Sequence, residues 1–93
     1  MERVYKYTLE VKDSQVVKMP MHAKILTAQA QYDEVCIWAL VDPDLDEEDR
    51  TIRIHGTGHL IENAEKLVYI GTIQLEKGHF IDFGHVFEEV EDV

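Results

Sequence analysis

The stretch RTIRIHGTGHLI, residues 50–61, decides the fold. In its first half polar and apolar residues alternate, which is typical of a strand because successive side chains of a strand point to opposite faces. The alternation predicts that Ile52 and Ile54 face the interior and that Arg53 and His55 face water. The two glycines that follow permit a bulge or a positive φ angle. We therefore predict a strand that bends where the glycines begin.

Similar strand patterns occupy most of the chain. The segments are RVYKYTLEV (3–11), VVKMP (16–20), AKILTAQAQY (23–32), VCIWALV (35–41), LVYIGTIQLE (67–76) and FIDFGHVFEEV (80–90). IENAEK (61–66) has room for about one helical turn. These patterns predict an all-β fold, a small single-domain barrel or sandwich of about seven short antiparallel strands that spans residues 1–93.

Local signals predict the turns and the faces of these strands. We expect a tight hairpin at YDEV (32–35) and a second at KGH (77–79), and bulges or bends at Gly71 and Gly84. In AKILTAQAQY, strict alternation would place Ile25 and Thr27 on one face and Leu26 and Ala28 on the other.

VCIWALV is apolar at both parities, which is typical of a strand that is covered on both faces. Such a strand lies at the centre of the core or in a subunit interface. Because so short a chain buries little surface by itself, we predict a homodimer or a higher homo-oligomer. Trp38 within this run has two interpretations, a core residue or a platform on which a base stacks. Cys36 is predicted to be a buried, inert thiol of a cytosolic protein.

The net charge of −10 is unevenly distributed. DPDLDEED (42–49) holds six acids and EEVED (88–92) holds four, and the remaining nine acids equal the nine Lys and Arg in number. We therefore expect an acidic loop at 42–49, an acidic tail at 88–93 and a neutral body. The acidity argues against direct nucleic acid binding. No apolar run approaches the roughly 20 residues of a membrane span, so no membrane contact is expected.

Motifs for metal binding or catalysis are absent. His55 and His59 are four residues apart, which on a straight strand separates them by roughly 13 Å, too far for one zinc ion. His79, Asp82 and His85 are not placed on one face by alternation. The one serine, Ser14, lies in a turn and there is no GxSxG motif. The sequence predicts a protein without enzymatic activity, metal or cofactor.

Two binding hypotheses remain. Exposed N–H groups of the glycines in RIHGTGH can form a concavity for an anion, to which a threonine hydroxyl and basic side chains contribute. The ligand-binding residues predicted on this basis are Arg53, His55, Gly56, Thr57, Gly58, His59 and Trp38. Alternatively, the acidic surface docks on a basic protein, and the residues predicted for this role are Asp44, Asp46, Glu47, Glu48 and Asp49. Each hypothesis competes with an ordinary role as a bent strand or a solvated loop.

Several segments together resemble a known family. These are MPMHAKIL (19–26), WALVDP (38–43), the acidic loop, RIHGTGH (53–59), YIGTIQ (69–74) and GHFIDFGHVFEE (78–89). They resemble small proteins of unknown function that are found chiefly in bacteriophages and prophages. The resemblance implies a phage accessory protein that works in the host cytoplasm, with no established activity. The positions on its signature are Trp38, Gly56, Thr57, Gly58 and His59.

The resemblance and the residues lead to two functional expectations. The first is counter-defence, in which the protein binds and sequesters a small anionic nucleotide signal. The second is inhibition of a basic host nuclease or nucleic-acid-binding complex by the acidic surface.

Overall fold

Seven antiparallel strands make up a computed structural model that describes residues 1–77 and 80–91. The strands are β1 (Arg3–Leu9), β2 (Ser14–Pro20), β3 (Lys24–Gln31), β4 (Glu34–Val41), β5 (Glu47–Gly56), β6 (Leu67–Lys77) and β7 (Phe80–Glu89). They form a three-stranded sheet in the order β1-β4-β3 and a four-stranded sheet in the order β2-β5-β7-β6. The predicted all-β fold of about seven strands is confirmed, and its form is a two-sheet sandwich.

The predicted helical turn is a short 3-10 helix over Ala64–Lys66. It follows Asn63, whose φ of 56° lies in the left-handed region that asparagine tolerates. Within the described residues, no helix is long and apolar enough to cross a membrane.

Alternating apolar residues from both sheets form one core. Ile52 and Ile54 of β5 are buried, as the alternation predicts. The other core residues are Leu9, Met19, Ala23, Ala28, Val35, Ile37, Ala39, Val41, Ile73, Leu75 and Val86. Because every strand contributes side chains to this layer, burial of the layer holds the two sheets together.

Strand β4 is the middle strand of the three-stranded sheet, and its two faces differ. Ile37 and Ala39 face the core and are fully buried. Trp38 and Leu40 lie on the outer face and are half-buried. Cys36 is buried beside Thr8, with 3.9 Å between Sγ and the threonine Oγ1, so its predicted burial is confirmed. The strand is therefore fully covered on one face and partly covered on the other.

The YDEV hairpin has the predicted form. Tyr32 and Asp33 have φ angles of 52° and 62°, and Gln31 pairs with Glu34 to close the loop. Two consecutive left-handed residues characterise the turn whose twist matches that of the flanking strands. His22, in the connection between β2 and β3, also has a left-handed φ of 65°. The second predicted hairpin turn, at Gly78, lies outside the described residues.

One bulge, in β3, changes the faces that were predicted for Thr27 and Ala28. In β3 the register shifts between Ile25 and Thr27, so Ile25 and Ala28 both pack toward the core while Thr27 pairs with Trp38 on the outer face. Strict alternation in this strand was therefore wrong, because a bulge adds one residue and reverses the parity that follows. The bulge predicted at Gly71 is confirmed by a register shift next to it. Gly84 was predicted to interrupt β7, but it is regularly paired.

Both acidic segments are shorter than predicted because strand pairing absorbs part of each. The acidic loop ends at Asp46, since Glu47 to Asp49 begin β5 and pair with β2. Glu88 and Glu89 belong to β7 rather than to a tail. Their charges are balanced by arginines of the adjacent strand β5, which lets two acids enter the sheet.

Candidate functional site

A cavity of about 410 Å³ opens at one end of the sandwich, where β1 and β5 end and β4 and β7 begin. We call it the end cavity. Its floor is apolar and reaches the core side chains Val35, Ile54, Ile73 and Leu75. A volume of this size is within the range of small-molecule sites, which are mostly apolar with a few polar groups.

Two glycines face each other across neighbouring strands in the wall of the end cavity. Gly56 of β5 pairs with Gly84 of β7, and both line the cavity. A Cβ atom on Gly84 would lie 3.2 Å from Cγ2 of Ile54, so a side chain there would enter the floor. The ring of His59 covers Gly56, where a Cβ atom would lie 2.8 Å from Cε1 of His59. Both glycines are therefore closely packed, and a side chain fits at neither position unless His59 or Ile54 moves.

Polar groups surround the mouth of the end cavity. Lys12 and Asp13 come from the loop between β1 and β2, Thr57 and His59 from the turn after β5, and Asp82 from β7. The Lys12 ammonium also contacts Glu10 at 2.9 Å, and this hydrogen bond lowers the pKa of the Glu10 carboxyl. Formal negative charge therefore exceeds positive charge at the mouth, and a multiply charged anion would meet repulsion there.

A chain of hydrogen bonds fixes Thr57 from outside the cavity. Oγ1 of Thr57 lies 2.7 Å from Nε2 of His85, and Nδ1 of the same ring lies 3.0 Å from Oγ1 of Thr72. Thr72 in turn contacts the hydroxyl of Tyr69 at 2.7 Å. The four residues come from the turn after β5, from β7 and from β6. This chain connects the cavity wall to the outer face of the four-stranded sheet.

Three of the predicted ligand residues, Gly56, Thr57 and His59, line the end cavity. Gly58 has a φ of 84°, which confirms the predicted bend, and the space around its Cα is open. Arg53 does not line the cavity, because its guanidinium contacts Glu89 at 2.8 Å and donates from Nε to the carbonyl of Asp13, a residue of the mouth, at 3.2 Å. The predicted cluster is thus only partly brought together.

Trp38 is also separated from this site. It lies on the three-stranded sheet, on the outer face between Lys6 and Thr27, whereas the turn after β5 belongs to the other sheet. The prediction that Trp38 shares a site with RIHGTGH was wrong, because sequence order does not show on which sheet a strand lies.

His55 does not face water, contrary to the prediction. Only 7% of its surface is exposed, and its ring meets that of Phe87 edge-on with centroids 6.0 Å apart. Among the described residues its Nε2 has no hydrogen-bond partner. Burial, and secondarily the charge of Arg53, lowers the pKa of His55 below the ordinary histidine value. The folded protein therefore resists protonation of this ring.

The lowered pKa of His55 predicts a loss of stability in acid. The unfolded chain takes up a proton on His55 as the pH falls through about 6.5, whereas the folded chain resists it, so protons favour unfolding. We expect the free energy of unfolding of the wild type to fall relative to that of His55→Phe between about pH 7 and pH 5. Urea titrations across this range measure the difference, with His22→Asn as an exposed histidine control. A difference that stays constant with pH would contradict the assignment.

The acids of the alternative hypothesis lie around the start of β5, at the end of the sandwich opposite the end cavity. Asp44, Asp46 and Glu47 are exposed. Glu48 accepts a hydrogen bond from the backbone N–H of His22, and Asp49 pairs with Lys18 at 2.9 Å. Two of the five predicted residues therefore already have structural partners.

Within residues 1–77 and 80–91, no group of three or more His, Cys, Asp or Glu side chains is arranged to hold a metal ion. His55 and His85 are cross-strand neighbours, but His55 Nε2 is buried away from solvent. His79, which belonged to the same metal hypothesis, lies outside the described residues.

A family model described as Domain of unknown function (DUF7352) matches residues 1–93. The chain belongs to this family. The predicted membership of a family of unknown function is therefore confirmed. No curated protein and no solved structure shows a significant match to the chain.

The sequence predictions missed Lys12, Asp13 and Gly84 as cavity residues and His85 as the partner of Thr57. Gly84 carried a usable signal, because it has the same parity as the core residue Val86 and so belongs to the inner face of β7. The others enter the site only through strand pairing, which no local pattern reveals.

Proposed function

We propose that this DUF7352 protein is a non-enzymatic binding module that holds a small organic anion in the end cavity. The observation that carries the proposal is the cavity itself, an apolar floor of about 410 Å³ with a threonine hydroxyl and a histidine ring at its mouth. An apolar floor with a few placed polar groups is the usual composition of a ligand site.

A nucleotide with few charges is the ligand class that suits this arrangement. Its base would lie against Ile54 and Ile73, and its acceptor oxygens would meet Thr57 and His59. At the mouth the Lys12 ammonium is already paired with Glu10, and Asp13 and Asp82 add negative charge, so each further charge on a ligand weakens its binding. Cyclic or singly charged nucleotides should therefore bind more tightly than triphosphates.

We further propose that the protein is a phage accessory protein that acts in the host cytoplasm. There it would bind and sequester a nucleotide signal of host defence without converting it chemically. Support comes from the resemblance of WALVDP and RIHGTGH to phage proteins and from the position of Gly56, Thr57 and His59 at the cavity. A homodimer would cover Trp38 and Leu40, the half-buried apolar residues of β4.

Replacement of Thr57 by valine should weaken binding of a nucleotide by about tenfold or more. Valine keeps the shape of threonine but removes the hydroxyl, and a hydrogen bond to a charged group contributes roughly 1.5–3 kcal/mol. Isothermal titration calorimetry against cyclic nucleotides, nucleoside monophosphates and ADP-ribose measures the effect. Thr51→Val, within β5 and away from the cavity, is the matched control and should bind like the wild type.

Two calorimetric outcomes would contradict the proposal. One is the absence of heat with every member of the panel at millimolar concentration. The other is an equal loss of affinity in the Thr57 and Thr51 variants, which would place the ligand elsewhere.

A second candidate function is docking on a basic protein, favoured by the exposed acids Asp44, Asp46 and Glu47. In the described part of the chain these three side chains form no ion pairs. They remain available to a partner such as a basic nuclease, and affinity would then fall as salt rises. Charge reversal at the three positions should abolish inhibition of the partner, and binding that does not change with salt would exclude this function.

A further inference from the structure

The hydrogen-bond chain behind Thr57 has one hydrogen more than it has bonds. Tyr69, Thr72 and Thr57 each carry one hydroxyl hydrogen, and a neutral imidazole at His85 carries one N–H. These four hydrogens serve the three contacts between the four residues. One hydrogen is therefore left over, and it lies on Tyr69 toward solvent, on Thr57 toward the end cavity, or on Thr72 if that hydroxyl accepts from both of its neighbours.

The acidity of the phenol determines which end keeps the extra hydrogen. A phenol hydroxyl is in general a stronger hydrogen-bond donor than an alcohol hydroxyl, so Tyr69 is the stronger donor of this pair and Thr72 the stronger acceptor. When Tyr69 donates to Thr72, the hydrogen of Thr72 finds a partner within the chain only at Nδ1 of His85, whereas a Thr72 that accepted from both neighbours would leave its own hydrogen without a partner in the chain. Nε2 of His85 then carries the ring proton and donates to Thr57. Successive bonds in one direction also polarise one another favourably.

Solvent does not reverse this order. Tyr69 is 59% exposed, and water around its oxygen can accept or donate a hydrogen bond equally well. The direction is therefore set by the difference in donor strength between the phenol and the alcohols within the chain.

We infer that the hydrogen bonds run from Tyr69 through Thr72 and His85 to Thr57, so that Thr57 presents its free hydroxyl hydrogen to the end cavity. The cavity then selects ligands that place a hydrogen-bond acceptor, such as a phosphate, carboxylate or carbonyl oxygen, against Thr57. His85 acts as a positioning residue, since it fixes the orientation of Thr57 without lining the cavity. The selection of ligands rests on the proposed binding function, whereas the direction of the chain does not.

The direction is measured on the free protein by ¹⁵N NMR of the His85 imidazole at about pH 8.5, where an unperturbed imidazole is neutral. We expect His85 in the wild type to be protonated on Nε2 and unprotonated on Nδ1. Tyr69→Phe removes the first donor but keeps the ring that packs edge-on against Phe87 at 5.7 Å between centroids. It should shift the equilibrium toward the other tautomer, and Thr51→Val should leave it unchanged.

A wild-type ring protonated on Nδ1 would overturn the inference, because Thr57 would then donate to His85 and present only lone pairs to the cavity. An unchanged tautomer in Tyr69→Phe would overturn the assignment of Tyr69 as the origin of the chain.

The second part of the test is titration with cyclic AMP, a singly charged acceptor ligand. Tyr69→Phe should weaken its binding by about fivefold, the effect of one weakened hydrogen bond, although Tyr69 does not line the cavity. Equal affinities in the two proteins would contradict the inferred selection. If cyclic AMP does not bind the wild type, the nucleotide proposal fails, while the tautomer measurement still decides the direction of the chain.

Discussion

Replacing Arg50 with methionine should lower the free energy of unfolding by about 3–5 kcal/mol. The guanidinium donates to both carboxylate oxygens of Glu88, with 2.9 Å between Nη2 and Oε1, and to the carbonyl of Ala23 at 2.8 Å. The two charged side chains are only 15% and 13% exposed. Methionine keeps the aliphatic packing but leaves the Glu88 carboxylate buried without its cation, which is the costly half of such a change.

The ion pair also raises the pKa of Arg50, chiefly because the guanidinium donates hydrogen bonds to the carboxylate of Glu88. Equilibrium unfolding in urea measures the predicted loss. Arg53→Met, at the more exposed pair with Glu89, is the matched control and should cost about 1 kcal/mol or less. The double change Arg50→Met with Glu88→Leu should recover most of the stability, because it removes both charges. If Arg50→Met lowers the free energy of unfolding no more than Arg53→Met does, the structural role assigned to the Arg50–Glu88 pair is wrong.

Replacing Ile37 with alanine should cost about 3 kcal/mol of unfolding free energy. Ile37 is fully buried on the core face of β4, in contact with the layer formed by both sheets. Deletion of three carbon atoms there loses their burial and leaves a space that rigid sheets fill poorly.

Val16 provides the control for Ile37, because it lies in edge strand β2 and is 58% exposed. Val16→Ala should change the unfolding free energy by about 0.5 kcal/mol or less. Similar losses in the two variants, measured by urea or thermal unfolding, would show that β4 does not present Ile37 to the core.

Much of the fold could be predicted because it follows from local patterns. Alternation identified β5 and placed Ile52 and Ile54 in the core correctly. The YDEV hairpin followed from the short connection between two strand patterns. These signals operate within a few residues of sequence, so no knowledge of partners is needed to read them.

Predictions failed where a property depended on pairing between distant strands. Alternation shows the face that His55 takes, but the burial of that face depends on Phe87, which β7 brings beside it. The bulge in β3 is likewise a feature of its pairing with β4, and it reversed the expected faces of Thr27 and Ala28. The sequence therefore predicts which face of a strand a side chain takes better than it predicts whether that face is buried.

The candidate site was predictable only in part for the same reason. Gly56, Thr57 and His59 lie within one short motif and were identified from it. Gly84 and His85 are 28 residues farther along and reach the site through the register of β5 with β7. The acids of 88–89 were assigned to a tail because the arginines that neutralise them lie on another strand.

The central claim, that the end cavity binds a small ligand, is tested most directly by methyl-resolved NMR during titration with the nucleotide panel. Ile54 and Ile73 line the cavity, whereas Ile37 and Ile52 lie in the core away from it. We predict that a binding nucleotide shifts the methyl signals of Ile54 and Ile73 and leaves those of Ile37 and Ile52 in place. Shifts confined to residues around Trp38, or no shift with any nucleotide, would contradict the claim.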